Sequence, residues 1–349
     1  MTRKGWLLFI SMSVIWGIPY LFIKITIREL DPSVVVFARV GIAAVVLLPV
    51  AAKRGVLRKV RERWLVVAAL ACVQIAGPFL LISYGEQHIT SSLTSLLIAA
   101  DPLFVVLFAL RFDPSERASG LRLFGLLIGM VGVIVLLGLD VGGDEQRLLG
   151  AVLVLLAAAG YAASALLIKR PTIAALPNLG VVTVMCITAT IVLLPLAVTR
   201  LPSKIPDIEV IVSLLVLSLI CTALAYLLFF ALVAEVGASR GTVITYVNPA
   251  VAVLLGVTLL GEPLNAAIIV GFLLIIVGCW LSTGGALPPP LSQLLRTHRQ
   301  QQTSRDSDFI TNYFDKPRPN PTINFERIQT TTRDLAALLG ISLPKQTSR

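Results

Sequence analysis

The chain has 349 residues and a net charge of +10; 56% of its residues are hydrophobic, 14% are charged, and the mean hydropathy is +0.89. A water-soluble domain of this size cannot hide so much apolar surface, so the composition excludes a soluble globular protein and points to a membrane protein. The basic excess sits mainly in short segments between apolar runs, which excludes a nucleic-acid partner.

Apolar runs of about 18 residues or more read as membrane-crossing helices. The first, 6–27, follows Met1-Thr2-Arg3-Lys4 like a signal peptide, but it is too long, and Trp16, Pro19 and Lys24 occupy the stretch where a cleavage site would fall. It is expected to be retained. Runs at 32–52, 64–84, 90–110 and 120–139 follow, with Arg39 in the second, Gln74, Gly77-Pro78 and Tyr84 in the third, and Asp101-Pro102 in the fourth. The fifth holds Gly125 and Gly129 in a GxxxG pattern, which permits close helix contact. Within-chain packing is its more economical use, so a monomer is expected rather than a dimer. Five more runs cover 147–168, 178–199, 208–233, 238–260 and 265–284, carrying Tyr161, Tyr226, Tyr246 and Asn248-Pro249 among them. The remainder, 285–349, opens on Pro288-Pro289-Pro290 and is rich in Pro, Gln, Ser and Thr. That composition predicts a disordered tail, with a transient helix near 332–339.

The ten runs form two sets of five. Trp16 to Lys24, then Pro32, corresponds to Tyr161 to Lys169, then Pro177, at a constant offset of 145 positions. Ala100-Asp101-Pro102 corresponds to Val247-Asn248-Pro249, and the spacing Glu116–Gly125–Gly132 recurs as Glu262–Gly271–Gly278. Residues 5–139 and 147–284 therefore read as two five-helix repeats of an all-α membrane protein. Five is odd, so the second repeat enters the bilayer from the opposite side, an arrangement typical of carriers that work by alternating access. With the N-terminus inside, inward segments carry Arg3, Lys4, Lys53, Arg54, Arg58, Lys59, Arg61, Arg63, Arg111, Arg117, Arg122, Lys169, Arg170 and Arg240, whereas outward loops carry only Arg28, Arg147, Arg200 and Lys204. This asymmetry predicts that both termini are cytoplasmic.

An ionisable residue inside a span is costly and marks function by default. Asp101 is the clearest case: it could carry a coupling proton or cation, contact a substrate amine, or pair with an interior Arg. Arg39 could bind an anionic group, neutralise Asp101, or snorkel outward. Trp16, Tyr20, Gln74, Tyr161, Tyr226, Tyr246 and Asn248 supply amphipathic rings and amides that suit a cavity holding an organic molecule. With Arg39 and Asp101 they form the predicted substrate-binding set, at mid-membrane between the halves. Lys24 and Lys169 are expected to snorkel, Tyr84 to bond between helices, and Glu116 and Glu262 to cap the fifth and tenth spans.

Taken in order, Trp16-Gly17 with Lys24, Pro32 followed by Arg39, Pro102, Pro249 and Gly261-Glu262 resemble the drug/metabolite transporter superfamily, specifically its EamA-type ten-helix members. The resemblance spans about residues 5–284. It implies a carrier of the inner (plasma) membrane that exports amino acids, metabolites or drugs, with its substrate cavity between the halves and lipid around it. Asp101 departs from the pattern, standing where a neutral residue is more usual. A flippase of the same fold, moving lipids or lipid-linked precursors, is the alternative, as is a sensor or scaffold acting through the tail. An enzyme is not expected: no HExxH motif occurs, and the histidines are His88 and His298 alone. Cys72, Cys186, Cys221 and Cys279 all lie in apolar runs and suggest neither disulfides nor a metal site, and no cofactor is expected.

Overall fold

A computed structural model describes residues 2–112, 120–138, 145–168, 170–236 and 244–282. The described residues form helices and short connections, without strands. Pro19 has no N–H and fits only the first turn of a helix, so the first expected span divides at Ile18 into α1 (Arg3–Gly17) and α2 (Pro19–Thr26). Asp31 then caps α3 (Pro32–Lys53), accepting from the Ser33 N–H at 2.9 Å. After a short α4 (Leu57–Arg61), the third span runs as α5 (Trp64–Ala71), a π-helical turn π1 (Cys72–Ala76) and α6 (Gly77–Gly85). The fourth breaks at Ala99-Ala100 into α7 (Ser91–Ile98) and α8 (Asp101–Phe112), and α9 (Gly120–Leu137) completes the first half.

The second half holds α10 (Glu145–Ile168), a short α11 (Pro171–Ala174), α12 (Asn178–Val198), and α13 (Ile208–Leu215) continuing through π2 (Val216–Leu224) into α14 (Ala225–Val236). It ends with α15 (Ile244–Leu260) and α16 (Ala266–Ser282). Among the described residues, seven helical stretches are long and apolar enough to cross a membrane: Arg3–Thr26, Pro32–Lys53, Trp64–Gly85, Ser91–Phe108, Glu145–Ile168, Asn178–Val198 and Ile208–Phe229. Three shorter apolar helices, 123–137, 247–260 and 266–282, stand where the fifth, ninth and tenth spans are expected. Lys169, Glu116 and the tail 285–349, including the predicted helix at 332–339, lie outside the described residues.

Packing contacts come in exchangeable pairs. α1 packs on α15 as α10 packs on α7 and α8. α1 and α2 pack on α14 and α13 as α10 packs on α6 and π1. α3 packs on π2 as α12 packs on α5 and π1. Three further pairs join corresponding helices directly: α3 with α12, α7 with α15, and α9 with α16.

The α9–α16 seam shows why its glycines recur. A Cβ on Gly278 would strike the backbone of Gly129, one on Gly125 the Ser282 N–H, and one on Gly132 would lie 2.8 Å from Ile275 N and 2.9 Å from Gly271 O. The two backbones touch, so the GxxxG pattern is used inside the chain. The opposite faces expose Leu127, Met130, Ile134, Leu273 and Val277, as helices bathed in lipid do.

Candidate functional site

Arg39 is the only cation among the core-buried residues described, and it is held between Thr222 of π2 and Phe79 of α6. Pro78 and Gly77 account for π1. Pro78 cannot donate to the turn before it, and the Gly77 N–H bonds back to Cys72 O, where a Cβ would stand 2.8 Å from that carbonyl. π2 contains no proline; the Thr222 hydroxyl donates to Leu217 O at 2.8 Å. The same hydroxyl accepts from Arg39 Nε at 2.9 Å, and the guanidinium carbon lies 4.0 Å from the centre of the Phe79 ring. Arg39 therefore neither snorkels nor pairs with Asp101; it bridges the third and eighth expected spans. Its charge bears on the phenols of Tyr20, Tyr161 and Tyr226.

Those three tyrosines, with Trp16, Gln74, Asp101 and Asn248, are each only half-buried. Trp16 meets Tyr226 edge-on at 6.3 Å and Phe229 at 4.9 Å. Asp101 opens α8, where free N–H groups favour a carboxylate, yet its Oδ1 is buried and unpartnered, as is Gln74 Oε1. Unpartnered polar atoms in a low-dielectric interior are unsatisfied binding capacity. The Asn248 amide is satisfied only with its nitrogen toward the carbonyls of Ile244 (2.8 Å) and Ser13 (3.1 Å), which ties α15 to α1. The side chain of Tyr246 lies outside the described residues.

One end of the bundle gathers the segments 27–31, 86–90, 199–207 and 261–265. Arg200 pairs with Asp31 at 3.1 Å, and the Asp207 N–H donates to Glu29. Burial works to raise the Asp31 carboxyl, but hydrogen bonds from Ser33, Arg200 and Tyr84 outweigh it and hold it below its ordinary value. Tyr84 thus bonds between helices as expected. Glu262 does cap a helix, but not the one expected. Its carboxylate accepts from the backbone N–H groups of Ser91 (2.7 Å) and Ser92 (2.9 Å) and from both hydroxyls, so it caps α7. α16 is capped by Asn265 instead. Lys24 does not snorkel: its ammonium donates to the carbonyls of Glu86 and Ile89. At the opposite end, the hydroxyl of Thr2 and the ammonium of Lys4 hold Glu235, keeping its carboxyl below the ordinary range.

The expected set thus splits. Trp16, Tyr20, Arg39, Tyr161 and Tyr226 are brought together, Gln74 and Asp101 present spare acceptors, and Asn248 directs its amide nitrogen to carbonyls of α15 and α1. Thr222, Phe79 and Glu86 belong with the site but escape notice in the sequence. Thr222 and Phe79 sit in otherwise ordinary apolar runs, and Glu86 reads as one more acid at a span end.

Helices of membrane-crossing length around charged and aromatic interior groups define an integral membrane protein. Residues 3–138 and 148–284 each match the EamA-like transporter family, and the chain belongs to that family of membrane transporters. It is 24% identical over 283 residues to "Uncharacterized transporter YoaV" of Bacillus subtilis, covering 78% of this chain and 94% of the relative. It is 25% identical to "Uncharacterized inner membrane transporter YedA" of Escherichia coli, covering 73% and 82%. It is also 25% identical to a "Probable amino-acid metabolite efflux pump" of Salmonella typhimurium, covering 82% and 96%. One crystal structure superposes with a TM-score of 0.58 at 19% identity, over 81% of this chain and 97% of the other, which establishes a shared fold.

Proposed function

We propose that the protein is a secondary-active carrier that exports small metabolites, amino acids or drug-like compounds across the inner membrane by alternating access. Ten spans form two inverted five-helix repeats, with both termini cytoplasmic. The observation that carries this reading is the exchangeable pairing of the main helix contacts, in which α1–α15, α1 and α2 with α14 and α13, and α3–π2 each have a counterpart in the other half. The twofold match to the family and the relative named as an amino-acid metabolite efflux pump support the class of cargo. Substrate binds between the halves at Trp16, Tyr20, Arg39, Gln74, Asp101, Tyr161, Tyr226, Tyr246 and Asn248. Arg39 takes an anionic group, and Asp101 takes the coupling proton.

Comparing metabolites in cells with and without the protein identifies the cargo, and proteoliposomes loaded with it then test transport. Asp101→Asn is expected to abolish gradient-driven movement while sparing exchange; unchanged gradient-driven movement removes Asp101 from coupling. Cysteine labelling that places residues 286–349 outside would refute the topology.

A flippase is the second reading. A groove of about 500 Å3 between α2, α13 and α15 is lined by Leu21, Phe22, Ile25 and Val212, with Arg28 and Glu209 among its lining residues. A labelled phospholipid in the same vesicles decides: lipid translocation without metabolite transport would replace the carrier reading.

A further inference from the structure

Glu86 follows directly on α6 at the end assigned above to the outside. It is fully buried, and neither carboxyl oxygen has a hydrogen-bond partner or contact with solvent. Every nearby charge is turned elsewhere. Lys24, from α2, donates to the backbone carbonyls of Glu86 and Ile89 rather than to the carboxyl group. Glu262, after α15, is occupied by four donors at the start of α7. Arg39, on α3, is engaged by Thr222 and Phe79. Arg28, Gln87 and Thr90 line the same outer cavity of about 470 Å3 as Lys24, Glu86 and Glu262.

An ionised carboxylate stranded this way would cost several kcal/mol, whereas a neutral carboxyl costs far less. A metal ion or a substrate ammonium needs oxygens it can reach, and these are closed off. A lysine that passes over an adjacent carboxyl for two carbonyls is what a neutral acid leaves it. We propose that Glu86 is a proton-binding site of the outer end, protonated while that end is closed and ionised when it opens. On opening, the O–H proton passes to the outer water, and Lys24, still charged, leaves the carbonyls to pair with the new carboxylate. Burial raises the Glu86 carboxyl well above its ordinary value; Lys24 pulls against this, Glu262 adds to it, and Arg39 opposes it. A raised value makes the closed form most stable at low pH, and that stability is lost as pH rises through it.

The use of this proton rests on the carrier reading, but its existence does not, so the test needs no substrate. The full chain in phosphatidylcholine nanodiscs is titrated from acid to alkaline pH, following the infrared carbonyl band of protonated carboxyl groups and the Tm. Glu86→Gln is expected to remove one band component present at neutral pH and to flatten the fall of Tm with rising pH. Asp101→Asn should leave in place the band component that Glu86→Gln removes. Lys24→Gln should move the loss of the Glu86 component to higher pH. A wild-type spectrum and Tm slope in Glu86→Gln overturns the proposal; should that variant fail to fold, an unmoved midpoint in Lys24→Gln overturns it instead. Proteoliposomes that carry no metabolite would sink the carrier reading and leave these readouts unchanged.

Discussion

The α9–α16 seam and the π-turn pair around Arg39 resolve the same problem in opposite ways. At the seam, glycines let two regular helices touch backbone to backbone, and no buried polar side-chain atom of the described seam residues lacks a partner. Around Arg39, the helices of π1 and π2 give up regular hydrogen bonding, a guanidinium rests on a ring and a hydroxyl, and Gln74 and Asp101 keep unpartnered oxygens. The first region is built to stay as it is; the second holds groups that a ligand or a rearrangement could satisfy. π turns inside helices are rare and concentrate at functional sites, and this region holds two of them.

The sharpest way to break this contrast is at the seam. Gly278→Ala puts a methyl group into the Gly129 backbone, which has no side chain to yield. A loss of about 3 kcal/mol is expected, read as a lower denaturation midpoint and reduced abundance in the membrane. Near-wild-type stability would show that the helices slide apart freely, and the distinction between fixed and adjustable regions would fall.

Thr222→Val tests the other side. It leaves Arg39 Nε without its acceptor and removes the bond to Leu217 O, a loss of about 2 kcal/mol. Thr222→Ser should restore stability, since only the hydroxyl is used. If the region is the adjustable one, the valine variant should lose transport out of proportion to its loss of abundance, whereas Gly278→Ala should lose the two together.

Gly77→Ala is expected to cost less, about 1–2 kcal/mol, because the Cys72 carbonyl 2.8 Å away belongs to an already irregular turn that can yield. Denaturation midpoints measured beside those of Gly278→Ala give the comparison directly. A cost equal to that at the seam would mean that π1 is as rigid as the seam.

Much of this was legible in the sequence, for reasons tied to particular residues. Pro19, Gly77-Pro78 and Pro102 each fall where a helix breaks or turns irregular, because a missing N–H weakens the helix locally, although Pro49, Pro195 and Pro249 lie inside continuous helices. The glycine spacing in α9 and α16 fixed a contact face. The partners of charged groups were another matter. Glu262 was expected to cap the helix that follows it and caps α7 instead, 171 positions from Ser91 in sequence. For Arg39 the sequence leaves anion binding, pairing with Asp101 and snorkelling open, and its partner Thr222 lies 183 positions away. Which buried donor meets which acceptor depends on how the halves pack, and no local pattern records it. Glu86 went unread for the same reason: an acid at a span end looks solvated until neighbouring helices close over it.

The smallest expected effect concerns the start of α3, the helix that aims Arg39. Asp31 caps it through Ser33 and is held by Arg200 and Tyr84 from two other spans. Losing such a cap costs about 1 kcal/mol, so Asp31→Ala should lower stability slightly and, by fraying the first turn, loosen the register of Arg39 about two turns on. The pH dependence has a definite sign. The folded-state value lies below the unfolded 3.8, so this stability is present above that pH and is lost as pH falls below it toward the folded value. Unfolding followed across that acid range should therefore show a slope in the wild type that Asp31→Ala reduces. Added salt should weaken the part owed to Arg200, which is about half exposed, and leave the part owed to Ser33. A variant with the wild-type acid slope would mean that Asp31 is not held by these contacts in the membrane, and that α3 owes the placement of Arg39 to its packing against α12, π2 and α6.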